Sequence, residues 1–135
     1  MPGPLAGFRI VDLTSVISGP MATMILADQG ADVIKVEMPN GGDFTRAVSN
    51  QRGGFSASFL NNNRNKRSIA LNLKDQRGLD VLMRIVHGAD VFVQNFRPGV
   101  AKRMGVGEEE IRGAAPDIVY VSICGLGHEG PLSGK

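Results

Sequence analysis

One cysteine in 135 residues, Cys124, excludes an intrachain disulfide framework. The chain has no tryptophan and a single tyrosine. Aromatic residues make up only 5%, which leaves little for stacking nucleobases, and no nucleic-acid motif is spelled. The two histidines, His87 and His128, stand at no ligand spacing from each other or from Cys124, so no metal site is expected. No apolar run approaches the ~20 residues of a membrane span, and Met1-Pro2-Gly3-Pro4 lacks the basic start of a secretory signal. Neither a Walker loop nor a G-x-S-x-G elbow occurs. The expectation is a cytoplasmic domain with no membrane or nucleic-acid partner.

What is present is a globular composition, with 42% apolar and 21% charged residues. Net charge is only +2, but it is unevenly spread. Between Phe44 and Arg103 eleven Lys or Arg face three Asp, whereas the remainder carries four against ten acids. The middle of the chain is therefore a candidate anion-binding surface.

The pattern along the chain alternates. "FRIVDL" (8–13) reads as a buried strand. "GPMATMILADQG" follows as a helix, with Pro20 suited to its first turn and Gly30 to its stop. "DVIKVE" (32–37) is a second strand, and residues 38–54 read as a glycine-rich loop. "FSASFLNNN" suits a short helix, and a basic turn then leads into the strand "SIALNL" (68–73). Asp75 can cap a helix running to about His87, followed by the strand "DVFVQN" (90–95), two short helices and the strand "DIVYVSIC". Five strands alternating with helices predict an α/β fold with a parallel, doubly wound sheet.

In such sheets ligands bind beyond the carboxyl ends of the strands. After the first strand, "TSVISGP" offers backbone N–H groups, or else an ordinary turn. After the second, Glu37 reads as a solvated strand-end carboxylate rather than a ribose ligand, because the first turn has only Gly19 and not three spaced glycines. After the fourth comes "NFRPGVAKRMG": Asn95 with its amide, Phe96 with a flat face, Arg97, then Lys102 and Arg103. That set suits a ligand carrying an aromatic base and phosphates; the competing reading is a basic surface helix behind a structural Asn. Arg64, Lys66 and Arg67 read as a solvated face, Ser68 as a turn residue, Asp12 as structural and Cys124 as a small buried hydrophobe. Gly125, Gly127 and Gly130 spell G-x-G-x-x-G, but after the last strand instead of the first, so the dinucleotide spelling is read as coincidental.

"PLAGFRIVDLTSVISGP", "LADQGADVIKVE", "GGDFTR", "NRNKRSIALNLK", "ADVFVQNFRPGVAKRMG" and "VYVSICGLGHEGP", in this order, resemble the N-terminal part of the class III coenzyme A transferases, the family of formyl-CoA and carnitine-CoA transferases and alpha-methylacyl-CoA racemases. The resemblance covers essentially the whole chain. It implies a Rossmann-like large domain that takes coenzyme A as acyl carrier, an acyl-CoA and a carboxylic acid as substrates, no metal, and an interlocked homodimer. By matching position, Val16, Ile17 and Ser18 fall on first-loop residues lining the CoA region. Leu71, Asn95, Phe96, Arg97, Arg103 and Met104 fall on or beside CoA-contacting positions, and Lys135 falls near a basic residue that meets CoA phosphate. Met38 stands where some members have an arginine. The family's catalytic aspartate lies downstream of Lys135, as do the small domain and C-terminal segment. Residues 1–135 are therefore expected to be a truncated N-terminal, CoA-binding portion of the large domain, inactive alone. A racemase fragment and a non-catalytic nucleotide-binding module are the alternatives.

Overall fold

The computed structural model describes residues 3–48 and 50–133. In chain order the elements are β1 (Arg9–Asp12), α1 (Ser18–Asp28), β2 (Asp32–Glu37), a 3-10 turn (Phe44–Arg46), β3 (Gln51–Arg52), β4 (Phe55–Ser56), α2 (Ala57–Asn63), β5 (Lys66–Ala70), α3 (Gln76–Val86), β6 (Val91–Gln94), α4 (Val100–Arg103), α5 (Glu108–Ala114) and β7 (Val119–Ser122). Five strands form one sheet in the order β5-β2-β1-β6-β7, and every neighbouring pair is parallel. The chain steps outward from β1 through β2 to β5, then returns to place β6 on the other side of β1. The order of strand addition therefore reverses between β1 and β6, and a crevice opens at the carboxyl ends of those strands.

Side-chain alternation divides the strands between two cores. On one face Ile10, Val33 and Val93 pack with Ala27 and Ala31. On the other, Val11, Val36 and Phe92 pack with Leu82, Val86, Val106 and Ile111. Phe92 and Tyr120 are paired across β6 and β7, with ring centroids 5.5 Å apart and stacked. Helix α1 buries Gly19, Pro20, Thr23, Met24 and Ala27 along one stripe and ends at Gly30, whose φ of +100° suits glycine. Asp75 caps α3 by accepting from the Arg77 N–H at 3.0 Å, and three glutamates open α5, where the helix dipole favours them.

Two local expectations change. The third sheet strand runs over Lys66–Ala70 instead of residues 68–73. It is in register with β2 from Val33 opposite Lys66 to Glu37 opposite Ala70, so Lys66 and Arg67 belong to the strand and not to a turn before it, while Arg64 ends α2. The end of the stretch read as loop and the first two residues of the stretch read as a helix form the hairpin β3–β4, turned by Gly53 and Gly54 with φ of +59° and +81°, so helix α2 starts only at Ala57.

Candidate functional site

The loops after β1 and β6 meet over the crevice, and Asn95 joins them. Its Oδ1 accepts from the Ser15 N–H and its Nδ2 donates to the Ser15 carbonyl, both at 2.9 Å. Next to it the buried Gln94 accepts from the Phe96 N–H at 2.7 Å and donates to Ser122 Oγ on β7 at 2.7 Å. These bonds fix a ridge, Phe96-Arg97-Pro98, with a cleft on each side. One cleft, of about 380 Å³, is lined by Ser18, Asn95, Phe96, Arg97, Cys124 and the glycine loop at Gly125 and Gly127. The other, of about 360 Å³, is lined by Arg97, Gly99, Lys102, Tyr120, Ser122 and His128. Both fall in the size range of small-molecule sites.

The cations around the ridge are exposed. Among the described residues neither Arg97 nor Arg103 belongs to an ion pair, and Lys102 reaches only an exposed Glu109 at 3.9 Å. The Arg103 guanidinium folds back over Gly99, with Nη1 3.1 Å from where a Cβ on that residue would stand. Gly99 itself has a φ of +76°, so a side chain there would be strained as well as crowded.

Beneath the first loop lies a buried network of charges at the carboxyl ends of β1 and β2, which Lys66 enters from the start of β5. Asp12, fully buried, accepts from the Thr14 N–H at 2.8 Å, from Thr23 Oγ1 at 2.7 Å and from Lys66 Nζ at 2.9 Å. Lys35, 1% exposed, donates to the Thr14 carbonyl at 2.8 Å and pairs with Asp43 Oδ2 at 2.9 Å. That ammonium is the partner of an otherwise unbonded oxygen among the described residues. Glu37 accepts from Arg46 at 2.8 and 2.7 Å, from Ser68 Oγ at 2.6 Å and from the Asp43 N–H at 2.9 Å. Arg46 also lies 3.7 Å over the Phe59 ring. Burial pushes the Glu37 carboxyl up, but Arg46, Ser68 and the Asp43 N–H outweigh it and hold the group at about 2. Burial likewise opposes ionisation of Asp43, and Lys35 with Thr45 still holds it below the ordinary range. Burial draws the Lys66 ammonium below its ordinary value against the pull of Asp12.

This network corrects three readings of the sequence, and the cleft corrects a fourth. Lys66 is not on a solvated face: its side chain is 2% exposed because Asp12 demands a counter-charge inside the fold. Glu37 is not solvated, since its partners arrive from the 3-10 turn and β5. Ser68 lies in a strand and donates to Glu37, so it is no turn residue. Cys124 is half-buried and faces the cleft; it is not a core hydrophobe.

Of the residues singled out in the sequence, the structure gathers Ser18, Asn95, Phe96 and Arg97 around one cleft. Val16 and Ile17 are exposed on the adjoining loop. Leu71, Phe96 and Met104 pack against the larger core, and of these only Phe96 lines a cleft; Arg103 lines neither cleft. Lys135 lies outside the described residues. Gln94, Ser15, Lys35 and Asp43 were missed. Only Asp43 left a local signal, an acid two residues before Thr45, whose N–H and hydroxyl it receives at 2.9 and 2.7 Å.

No helix among the described residues is long and apolar enough to cross a membrane. Comparison with known proteins gives a consistent picture. Succinyl-CoA:glutarate CoA-transferase of Mus musculus is 50% identical over 135 residues, covering 96% of this chain and 30% of that protein. Acetyl-CoA:oxalate CoA-transferase of Acetobacter aceti is 44% identical, covering 97% of this chain and 34% of that protein. The chain thus spans about a third of the length of the curated relatives it matches. Among solved structures, a CAIB/BAIF family protein from Brucella suis superimposes with a TM-score of 0.93 at 36% identity, over 100% of this chain and 37% of that one. Likeness to a short chain dehydrogenase/reductase family protein, 18% identical with a TM-score of 0.56, shows the fold alone. The pattern of CoA-transferase family III matches residues 5–135, and the chain belongs to that family.

Proposed function

We propose that these residues form the coenzyme A-binding part of an acyl-CoA:carboxylate CoA-transferase. The observation that carries this reading is the ridge Phe96-Arg97-Pro98 between two clefts, where Arg97 and the nearby Arg103 have no ion-pair partner among the described residues, at the point where the strand order reverses. A ring face beside Arg97, Lys102 and Arg103 suits the adenine and phosphates of coenzyme A. The first loop, Ser15–Ser18, and the Cys124–Gly127 loop stand on the cleft side toward which a pantetheine thiol would extend. The named activities of the relatives, succinyl-CoA:glutarate and acetyl-CoA:oxalate transfer, support small carboxylates as the substrate class.

In the reaction proposed, a carboxylate from outside these 135 residues attacks the thioester carbonyl and expels the CoA thiolate, leaving a mixed anhydride. The thiolate then attacks the enzyme's acyl carbon, releasing the first carboxylic acid and forming an enzyme thioester. The incoming carboxylate reverses these steps. Residues 3–133 would bind and orient the CoA in this scheme. On this account the 135-residue chain has no turnover by itself, and robust CoA transfer by it would contradict the assignment of the nucleophile. The exposed apolar residues Met21 and Ile25 on α1 and Leu60 on α2 suit burial against further protein, in keeping with the expected dimer. Titration calorimetry with coenzyme A, dephospho-CoA and NAD tests the binding: coenzyme A should bind best and NAD poorly. Tight NAD binding without coenzyme A binding would overturn the proposal.

A further inference from the structure

Val16 has a φ of +72° in the first βα loop. For a β-branched residue this left-handed conformation is strained, and it persists only where the surroundings over-determine it. Its neighbours are held strongly. The Thr14 N–H goes to Asp12 and its carbonyl to Lys35 Nζ, at 2.8 Å each, while Asn95 takes both backbone groups of Ser15. Thr14 is also pressed against Gly19, where an added Cβ would stand 2.3 Å from the Thr14 Cβ. Val16 itself is different. Among the described residues, the side chain that bonds its backbone is Asp43, whose Oδ1 accepts from the Val16 N–H at 3.4 Å. Asp43 is in turn oriented by Lys35 through its other oxygen, and by the Thr45 N–H and hydroxyl.

An ion pair buried at 1% exposure on both sides is a poor way to stabilise a fold, because an apolar pair of like volume often does as well or better. An apolar pair could fill the space but could not grip a carbonyl and an amide of the loop. Lys35 and Asp43 do both. We propose that Lys35 and Asp43 are positioning residues, a buried clamp that holds Val16 in its left-handed conformation and presets the first loop for its ligand. This rests on the reading that the loop meets coenzyme A. The clamp reaches the loop from β2 and the segment after it, so its removal leaves the contacts of Asp12 and Asn95 in place.

The test uses the 135-residue chain with Lys35→Met combined with Asp43→Leu, which removes both charges together, and separately Lys35→Gln combined with Asp43→Ser, which also leaves no charge unpaired and keeps a hydroxyl to cap the Phe44–Arg46 turn if the first variant does not fold. Thermal melts establish that the variant is folded. Amide hydrogen exchange is then read at Val16, with Ser15 as internal reference because Asn95 still holds it. Calorimetry with coenzyme A gives the affinity. The clamp predicts faster exchange at Val16 than at Ser15, and coenzyme A binding weaker by about tenfold at an essentially unchanged melting temperature, the cost of a loop no longer preorganised. A folded variant with unchanged Val16 exchange, or with parental affinity for coenzyme A, overturns the proposal. If the parent chain binds no coenzyme A, the functional reading fails, and the exchange comparison still decides whether the clamp exists.

Discussion

Replacing Glu37 with Gln should remove a pH-dependent share of the stability of this fold. The carboxylate receives four hydrogen bonds, two from Arg46 and one each from Ser68 and the Asp43 N–H. Its side chain is 4% exposed, so solvent does little to screen these contacts. The group titrates at about 2 in the folded chain against an ordinary 4.5. A carboxyl depressed by that much contributes about 3 kcal/mol, at roughly 1.4 kcal/mol per pH unit. The sign is that of a lowered folded-state pKa: the contribution is complete above 4.5 and drains away as pH falls toward 2. Urea unfolding of the parent and of Glu37→Gln, at intervals from about pH 7 to about pH 3, reads the difference directly. The parent should be more stable by about 3 kcal/mol near neutrality, with the gap closing steadily through the acid window. A gap that stays constant across that window would refute the reasoning, because the loss would then come from packing and not from the ionised carboxylate.

Three further outcomes follow from particular contacts. Gly19→Ala places a Cβ 2.3 Å from the Thr14 Cβ and should cost about 1–3 kcal/mol in thermal or urea unfolding. Lys66→Met leaves Asp12 charged and without its counter-ion, a loss of about 3–5 kcal/mol in the same assays, much of which Asp12→Asn in the same chain should restore. Arg103→Ala, at an exposed residue, should leave the melting temperature nearly unchanged and weaken coenzyme A binding by calorimetry by about tenfold, as expected for one charge-assisted contact to phosphate.

The order of strands and helices was legible because its signals are local. Apolar runs, the Asp75 cap and the glycine stop at Gly30 each act within a few residues. The place of the two clefts was legible at one remove, since an α/β alternation puts crevices at strand ends and "NFRPG" stood out there. What the sequence concealed was the inside of the site. Lys66 looks like one more cation in "NRNKRS", and only the return of β5 beside β2 brings it onto Asp12, fifty-four residues earlier. Lys35 looks like the polar half of an alternating strand, yet helix α1 covers that face of the sheet and the ammonium must find partners within. Asn95 read equally well as a ligand contact or as a structural amide, and the two bonds to Ser15 show that it ties two loops together. Each of these depends on a partner far away in the chain, which no local pattern encodes.

The proposed function puts coenzyme A over the ridge between the two clefts. Titration of the 135-residue chain with coenzyme A, followed by its amide chemical shifts, reads that position residue by residue. Shifts should concentrate at Val16–Ser18, at Asn95–Arg103 and at Cys124–Gly127, saturating together. Shifts confined instead to the outer faces of α3 and α5, or a spectrum unmoved by saturating coenzyme A, would contradict it.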